Sequence, residues 1–380
     1  MTKPPPVIDS VIDPVIDPEI VAGAIHEITS ALASPAIEAV PQWATAGLAD
    51  GTAGILAALR VLDADADAVE ARTFELLETT ALRESWFNGL AGIGAVFEHL
   101  GEGELNEQFD EPLAAYLDIS SPLSPRYDLG DGWIGVARYF TRRPRTDLTR
   151  KALARALGLV RFSSEPLGAG YGVRGTDDAK KGEIWNPNGR FDLGAAHGLA
   201  GVVDVLAEMT VADVPEAAEL CAGAARGLIS QCAPALPTHV GEPGPARLAW
   251  CYGDLGASIA LVAAGDALGD SEIRSAGISA GLRAAARLPG EPGHRVVDAG
   301  LCHGAAGAGH VMQRLYVATG MTEFRDTATA WFTHVLAQRD HGTEAERGIG
   351  RITEFEPGWP EPAPRYVASA GFLCGAAGVV

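Results

Sequence analysis

The stretch Leu301-Cys302-His303-Gly304-Ala305-Ala306-Gly307 sets the reading of the whole chain. A thiol and an imidazole stand side by side ahead of a Gly-x-x-Gly turn that leads into an apolar run. The same frame occurs in Trp250-Cys251-Tyr252-Gly253-Asp254-Leu255-Gly256. It also occurs as Gly51-Thr52-Ala53-Gly54, Gly89-Leu90-Ala91-Gly92, Gly132-Trp133-Ile134-Gly135, Gly198-Leu199-Ala200-Gly201 and Gly375-Ala376-Ala377-Gly378, seven copies in all. Internal repetition of this kind is the strongest architectural signal in a single sequence.

Between the turns, residues 145–159, 213–230, 271–287 and 322–338 carry apolar side chains at helical spacing with polar ones opposite. Each is predicted to be a half-exposed amphipathic helix. The segment Ala257 to Ala264, after a turn, is apolar all round and predicts a buried helix. One repeat is then an outer helix, a loop, the glycine turn and an inner helix. Seven such hairpins closing on themselves predict an all-α fold, a double-layered α/α toroid with every turn on one face. A linear solenoid is the alternative, but solenoids usually keep a tighter period. The glycines are expected where inner helices converge and leave no room for side chains.

Residues 163–192 and 340–366 read as long loops near the mouth of the toroid. Residues 1–18 repeat Val-Ile-Asp and read as a mobile or docking N-terminal tail. Residues 19–380 read as a single toroid domain. The chain stops at Val380, just past the seventh turn, so the last inner helix is expected to be missing. The tail or a partner chain is a candidate to fill its place.

The formal net charge of −20 repels phosphate backbones and argues against nucleic acid as a partner. The opening Met-Thr-Lys-Pro-Pro-Pro lacks the apolar core of a secretion signal. No uncharged apolar run approaches the ~18 residues of a membrane span. The expected setting is the cytoplasm. There, cysteines at motif positions are ligands or nucleophiles more often than disulfide partners.

If the turns converge, the residues before them line one site. Asp50, Asn88 and Asp131 precede the first three turns. His197 precedes the fourth, Cys251-Tyr252 the fifth, Cys302-His303 the sixth and Cys374 the seventh. Zinc takes three or four N/S ligands, and Cys251, Cys302 and His303 supply three. Such a set leaves a fourth position open, the mark of a catalytic site. Other readings are a set of buried small residues, or a closed site with His197 or Cys374 as fourth ligand. The open position would take water, giving hydrolysis, or a substrate thiol held as thiolate. The thiol-rich ligand set favours thiol alkylation.

The motifs Ala196-His197-Gly198-Leu199-Ala200-Gly201, Trp250-Cys251-Tyr252-Gly253 and Cys302-His303-Gly304-Ala305-Ala306-Gly307 resemble the three signatures of the lanthionine synthetase C-like family, which contains the lanthipeptide cyclases of class I type. The approach from Pro187 to Gly194 resembles that family's lead-in. The resemblance runs from about residue 45 to the end of the chain. It implies an α/α toroid with Zn2+ on its axis. It implies an enzyme that adds peptide cysteine thiolates to dehydroalanine or dehydrobutyrine, closing (methyl)lanthionine thioether rings.

Carried over, Cys251, Cys302 and His303 match the zinc ligands and His197 the acid/base histidine. Asp128 is expected to orient His197, or else to cap the following helix. Arg247 would stabilise the enolate, or else pair at the surface, and Tyr252 would line the pocket. The implied partners are a dehydrated precursor peptide, a dehydratase and an exporter. The implied location is cytoplasmic, or peripheral in a membrane-associated complex. The chain departs from the family at Leu373-Cys374-Gly375, where the family carries a pattern like Leu-Glu-Gly. Cys374 is therefore a bystander, a redox liability or a fourth thiol. His310 is expected to be packing or a support to His303, and Cys221 and Cys232 to pack on an outer helix. Two alternatives share these residues: addition of glutathione or another small thiol to dehydroamino acids, and a non-catalytic zinc-bearing scaffold. The presence of His197, Asp128 and Arg247 argues against a scaffold, which needs only the metal.

Overall fold

The computed structural model describes residues 16–119, 127–174, 190–291, 293–339, 349, 351–356 and 365–380. In chain order the α-helices are α1 (Pro18–Leu32), α2 (Thr52–Val61), α3 (Asp67–Thr79), α4 (Leu90–His99), α5 (Glu107–Ile119), α6 (Trp133–Arg142), α7 (Asp147–Ser163), α8 (Leu199–Val211), α9 (Ala217–Ile229), α10 (Asp254–Leu268), α11 (Ser271–Ala285), α12 (Ala305–Thr319) and α13 (Thr322–Gln338). The even-numbered helices each start at a glycine turn. They pack against one another in sequence, α2 on α4, then α6, α8, α10 and α12. They form the inner layer, and the odd-numbered helices form the outer one.

Burial follows this division. Inner α10 buries ten of its residues from Asp254 to Gly265, whereas outer α3 buries only Val69, Thr73 and Leu76. Local chemistry sets the ends. Thr146 caps α7 by accepting from the Thr149 amide at 3.2 Å, and Asp270 caps α11 by accepting from Glu272 and Ile273. Gly269 and Gly320, at φ of 63° and 71°, end α10 and α12 in the left-handed conformation that glycine adopts without penalty.

The seven turns are tied into a closed ring by backbone hydrogen bonds. The Ala49 amide donates to the Phe87 carbonyl at 2.7 Å, Phe87 to Gly130 at 2.9 Å, and Gly130 to Ala196 at 3.0 Å. Ala195 donates to Cys251 at 2.9 Å, Trp250 to Cys302 at 3.0 Å, and Cys302 to Leu373 at 2.8 Å. Leu373 returns to Ala49 at 3.0 Å and completes the circuit. A linear solenoid has no such last bond. The chain therefore forms a toroid.

Six of the seven turns are also folded on themselves. The Asp298 carbonyl accepts from the Ala305 amide at 2.9 Å, and the pairs Thr45/Thr52, Arg83/Leu90, Tyr127/Ile134, Asp192/Leu199 and Ser369/Ala376 repeat this bond. The fold explains the second glycine of the repeat, and it modifies the expectation. A Cβ on Gly307 would stand 1.8 Å from the Leu301 carbonyl oxygen, so the crowding comes mainly from the turn's own backbone. The next contact is a side chain of a neighbouring turn, as with Trp86 at 2.6 Å from Gly135.

Three expectations need correction. Residues 163–192 contain a hairpin, β1 (Ser164–Leu167) paired antiparallel with β2 (Gly170–Val173), and 175–189 lie outside the described residues. Residues 340–366 overlap a second antiparallel hairpin, β3 (Thr353–Glu356) with β4 (Arg365–Ala368). The tail boundary at residue 18 falls inside α1. Asp17 accepts from the Glu19 amide at 2.9 Å, Pro18 takes the first helical position, and Ile16 is buried. Residues 1–15 lie outside the described residues.

At the seventh position the ring of turns is complete, and residues 376–378 make one short 3-10 turn. Behind them lies an apolar cavity of about 420 Å³ between α1, α13 and the last two valines.

The glycine argument predicts opposite outcomes at two sites. Gly307→Ala should lower unfolding stability by about 1–3 kcal/mol through overpacking. Gly158→Ala, where an added Cβ meets nothing within 4 Å on α7, should raise it by roughly 0.5–1 kcal/mol. Urea denaturation of both variants measures this. Equal effects at the two positions would contradict the turn geometry.

Candidate metal centre and the mouth of the toroid

The ring of turns sets the ligand geometry. Besides the Trp250 bond, the Cys251 amide donates to the Cys302 carbonyl at 3.3 Å, which fixes the fifth turn beside the sixth. The ligand atoms of Cys251, Cys302 and His303 consequently lie within 4.8 Å of one another. Both thiols are buried, 3% and 7% exposed. Cys251 is held well below the ordinary thiol range. Its hydrogen bond with Cys302 is the main cause, burial opposes it, and His303 and the Arg247 guanidinium add to it. Arg247 Nη2 stands 3.7 Å from the Cys251 sulfur. Cys302 moves the other way, raised by its interactions with Cys251 and Cys374 and by burial. The remaining two cysteines are different. Burial pushes Cys221 up to about 12 and Cys232 up to about 11, as expected for inert packing thiols. Cys221 is on α9, but Cys232 lies beyond that helix's end.

His303 shows that the residues fit a metal. Its Nε2 faces the Asp298 carboxylate at 3.6 Å, while its Nδ1 is buried with no hydrogen-bond partner. An orphaned ring nitrogen beside two thiols, on an imidazole held from behind by a carboxylate, is the arrangement of a metal-binding histidine. Zinc would suit this donor set, with Cys251, Cys302 and His303 as the residues that would hold it. Asp298 is 3% exposed and is itself fixed, accepting from the amides of Gly300 at 3.2 Å and Phe355 at 3.3 Å. The second bond comes from β3, so the late hairpin reaches the turn that carries His303. Its Glu354 is raised by burial, which Ser369 opposes, with Asp50 and Asp298 adding to the rise.

The fourth turn adjoins the fifth through the Ala195 and Ala196 amides, both of which donate to the Cys251 carbonyl. This seats the turn that carries His197 beside the turn that carries Cys251. Its Nδ1 is 3.2 Å from Asp128 Oδ1, and the edge of Phe87 packs on its ring at 5.8 Å. Burial works against a charged imidazole here. The hydrogen bond and charge of Asp128, with Asp131 and Asp192 behind, outweigh it and raise the His197 pKa above its ordinary value. Asp128 also accepts from the Asp131 amide at 2.8 Å, a bond within the turn; it does not cap α6, whose N-cap is Gly132 with no side-chain bond. His197 remains 39% exposed, open to the mouth. Tyr252 is half-buried beside it, its ring packed where a Cβ on Gly194 would come within 2.6 Å. Burial and the charges of Asp192 and Cys251 keep its hydroxyl protonated.

The sequence pattern of the lanthionine synthetase C-like protein family matches residues 42–380. The chain belongs to that family. Among solved structures, that of a nisin cyclase superposes with a TM-score of 0.68 at 16% identity, covering 95% of this chain and 92% of that one. The shared fold agrees with the closed ring of turns.

Within this family member, Cys251, Cys302 and His303 come together with Arg247 beside Cys251, and His197 pairs with Asp128 on the two preceding turns. His310 does not join them. It lies on α12, outside the metal-binding group, with its pKa lowered by burial and by Arg314. Asp298 and Asp192 were missed. Both begin a shared frame, Asp-x-Gly-x-x-His-Gly, at 192–198 and 298–304. Each is buried and interacts electrostatically with the histidine of its own turn. Burial pushes Asp192 up to about 6, with Arg190 and His197 opposing. The signal was visible as the one acidic position common to the two histidine turns.

Asp298→Ala should weaken metal affinity by about 10–100-fold, because His303 loses its orienting acceptor. Asp298→Asn keeps an oxygen toward Nε2 and should retain most of the affinity. Competition with a chromogenic chelator reads both. An Ala variant that binds as tightly as the parent would remove Asp298 from the account.

Proposed function

We propose that this chain is a zinc-dependent cyclase that adds cysteine thiolates of a dehydrated peptide to dehydroalanine or dehydrobutyrine, forming thioether rings. The observation that supports it most is the three-ligand group of Cys251, Cys302 and His303 with the His197–Asp128 pair on the adjoining turn. Family membership adds to it.

Cys251, Cys302 and His303 would hold the metal. Zinc, when bound, would stabilise the peptide sulfur as a nucleophilic thiolate at neutral pH. As the sulfur bonds to the β-carbon, the carbon–carbon π pair moves toward the carbonyl and leaves an enolate. The proton of the peptide thiol leaves to solvent water; His197, kept protonated to higher pH by Asp128, donates a proton to the α-carbon and regains one from water, so the addition is balanced. Arg247 places a positive charge beside Cys251, where it balances thiolate charge and faces developing negative charge in the substrate. Tyr252 and Phe87 supply apolar walls at the opening.

Dehydroamino acids arise by loss of water from Ser and Thr, so a dehydratase acts first. An exporter for the product and a cytoplasmic, membrane-associated complex belong to the same proposal. No helix of the described residues is long and apolar enough to cross a membrane.

The test is to incubate the zinc-loaded protein with a dehydrated precursor peptide and count free peptide thiols. Thiols should be consumed with no change in peptide mass. If added glutathione is incorporated instead, the small-thiol reading replaces this one. If neither occurs with one zinc bound per chain, catalysis is ruled out and the scaffold stands.

The pH dependence carries a sign. Asp128 raises the His197 pKa, so Asp128→Asn lowers it. With His197 acting as the acid, the alkaline limb of the pH–rate profile should move to lower pH in that variant. A shift to higher pH, or none, would refute the pairing as a functional one.

A further inference from the structure

Cys374 is a mouth thiol to which the proposed chemistry gives no role. It stands immediately before the seventh turn glycine, the position that His303 holds before the sixth. The backbone seats it beside Cys302. The Cys302 amide donates to Leu373 at 2.8 Å, and Gly300 approaches so closely that an added Cβ would lie 3.0 Å from the Cys374 Cα. The Cys302 sulfur interacts with the thiols of both Cys251 and Cys374. Cys374 also packs on the small apolar cluster of Ala196, Ala249, Cys251 and Cys302, and it is only half-buried. It therefore touches the metal-binding group on one side and the open mouth on the other.

We infer that Cys374 is an internal fourth ligand: it closes the open zinc position in the peptide-free protein and yields that position to the substrate thiol. The inference rests on the zinc reading above. The Cys374 sulfur is not among the three ligand atoms within 4.8 Å of one another, so binding requires rotation about its single side-chain torsion. That rotation is open to an unbranched side chain at a half-buried position.

Charge favours the exchange. Two thiolates and a neutral imidazole give a neutral zinc site, and a third thiolate brings it to −1. Arg247, 3.7 Å from Cys251, stands where it offsets that charge. Replacing Cys374 by a peptide thiolate leaves the charge and the donor set unchanged. One Zn–S bond breaks and one forms, and the proton released by the peptide thiol goes to the departing Cys374 sulfur. Until a thiol arrives, water is kept off the metal, which disfavours hydrolysis in the resting site.

The test is X-ray absorption at the metal edge of the full chain, zinc-loaded and without peptide. The expected first shell of the parent is three sulfurs and one nitrogen. Cys374→Ala and Cys374→Ser should each show two sulfurs, with an oxygen donor replacing the third. Adding 2-mercaptoethanol should restore three sulfurs in the Ala variant and leave the parent's count unchanged. A parent with two sulfurs, or a count that does not change in the variants, overturns the role of Cys374 and leaves the zinc reading intact. A parent that binds no metal overturns both. The parent measurement decides the matter even if a variant folds poorly.

Discussion

The hydrogen-bonded circuit through Ala49, Phe87, Gly130, Ala196, Cys251, Cys302 and Leu373 is the constraint on which the rest of this structure depends. Every link runs between consecutive turns, and the last joins residues more than three hundred positions apart. Amides buried near the axis have little access to water, and leaving one unpaired costs about 1–3 kcal/mol. The circuit satisfies them all in one direction, so neighbouring bonds can polarise one another. It also fixes distances. Cys251 and Cys302 are far apart in the chain, yet one turn's amides bond the other's carbonyl, and the two thiols are forced together.

On that frame the chemistry divides between two similar turns. Each places an aspartate six residues before a glycine and a histidine one residue before it. In the sixth turn, the Asp298 carboxylate lies 3.6 Å from Nε2 of His303, whose Nδ1 has no hydrogen-bond partner. In the fourth, the histidine is paired with Asp128 from the preceding turn, and its side chain stays 39% exposed. The same local fold thus sets a histidine among thiols in one place and beside a carboxylate in the next. What differs is the neighbouring turn. Cys251 stands beside His303, whereas Asp128 and Phe87 stand beside His197.

Much of this was legible in the sequence because a glycine turn leaves an unmistakable mark. The repeated Gly-x-x-Gly, with an apolar helix after it and an amphipathic one before it, predicts the layers and the shared mouth. It also brings Cys251, Cys302 and His303 to one place. The two hairpins were not legible. Ser164–Leu167 and Gly170–Val173 contain a proline and two glycines and read as loop. They pair because the hairpin lies flat on α9, with Tyr171 donating to the Leu220 carbonyl and its backbone pressed against Gly227. That is tertiary packing, which no local pattern announces. Asp298 was overlooked for a related reason. Its importance lies in a through-space contact to His303, and only comparison with Asp192 in the equivalent frame brings it out.

The most direct measurement of the central claim is a crystal structure of the metal-loaded protein with anomalous data collected on both sides of the zinc edge. The account predicts one zinc peak per chain, bounded by the Cys251 and Cys302 sulfurs and by His303 Nδ1, with Nε2 still turned toward Asp298. A peak elsewhere on the chain, or metal bound through Nε2 with Asp298 displaced, would contradict it.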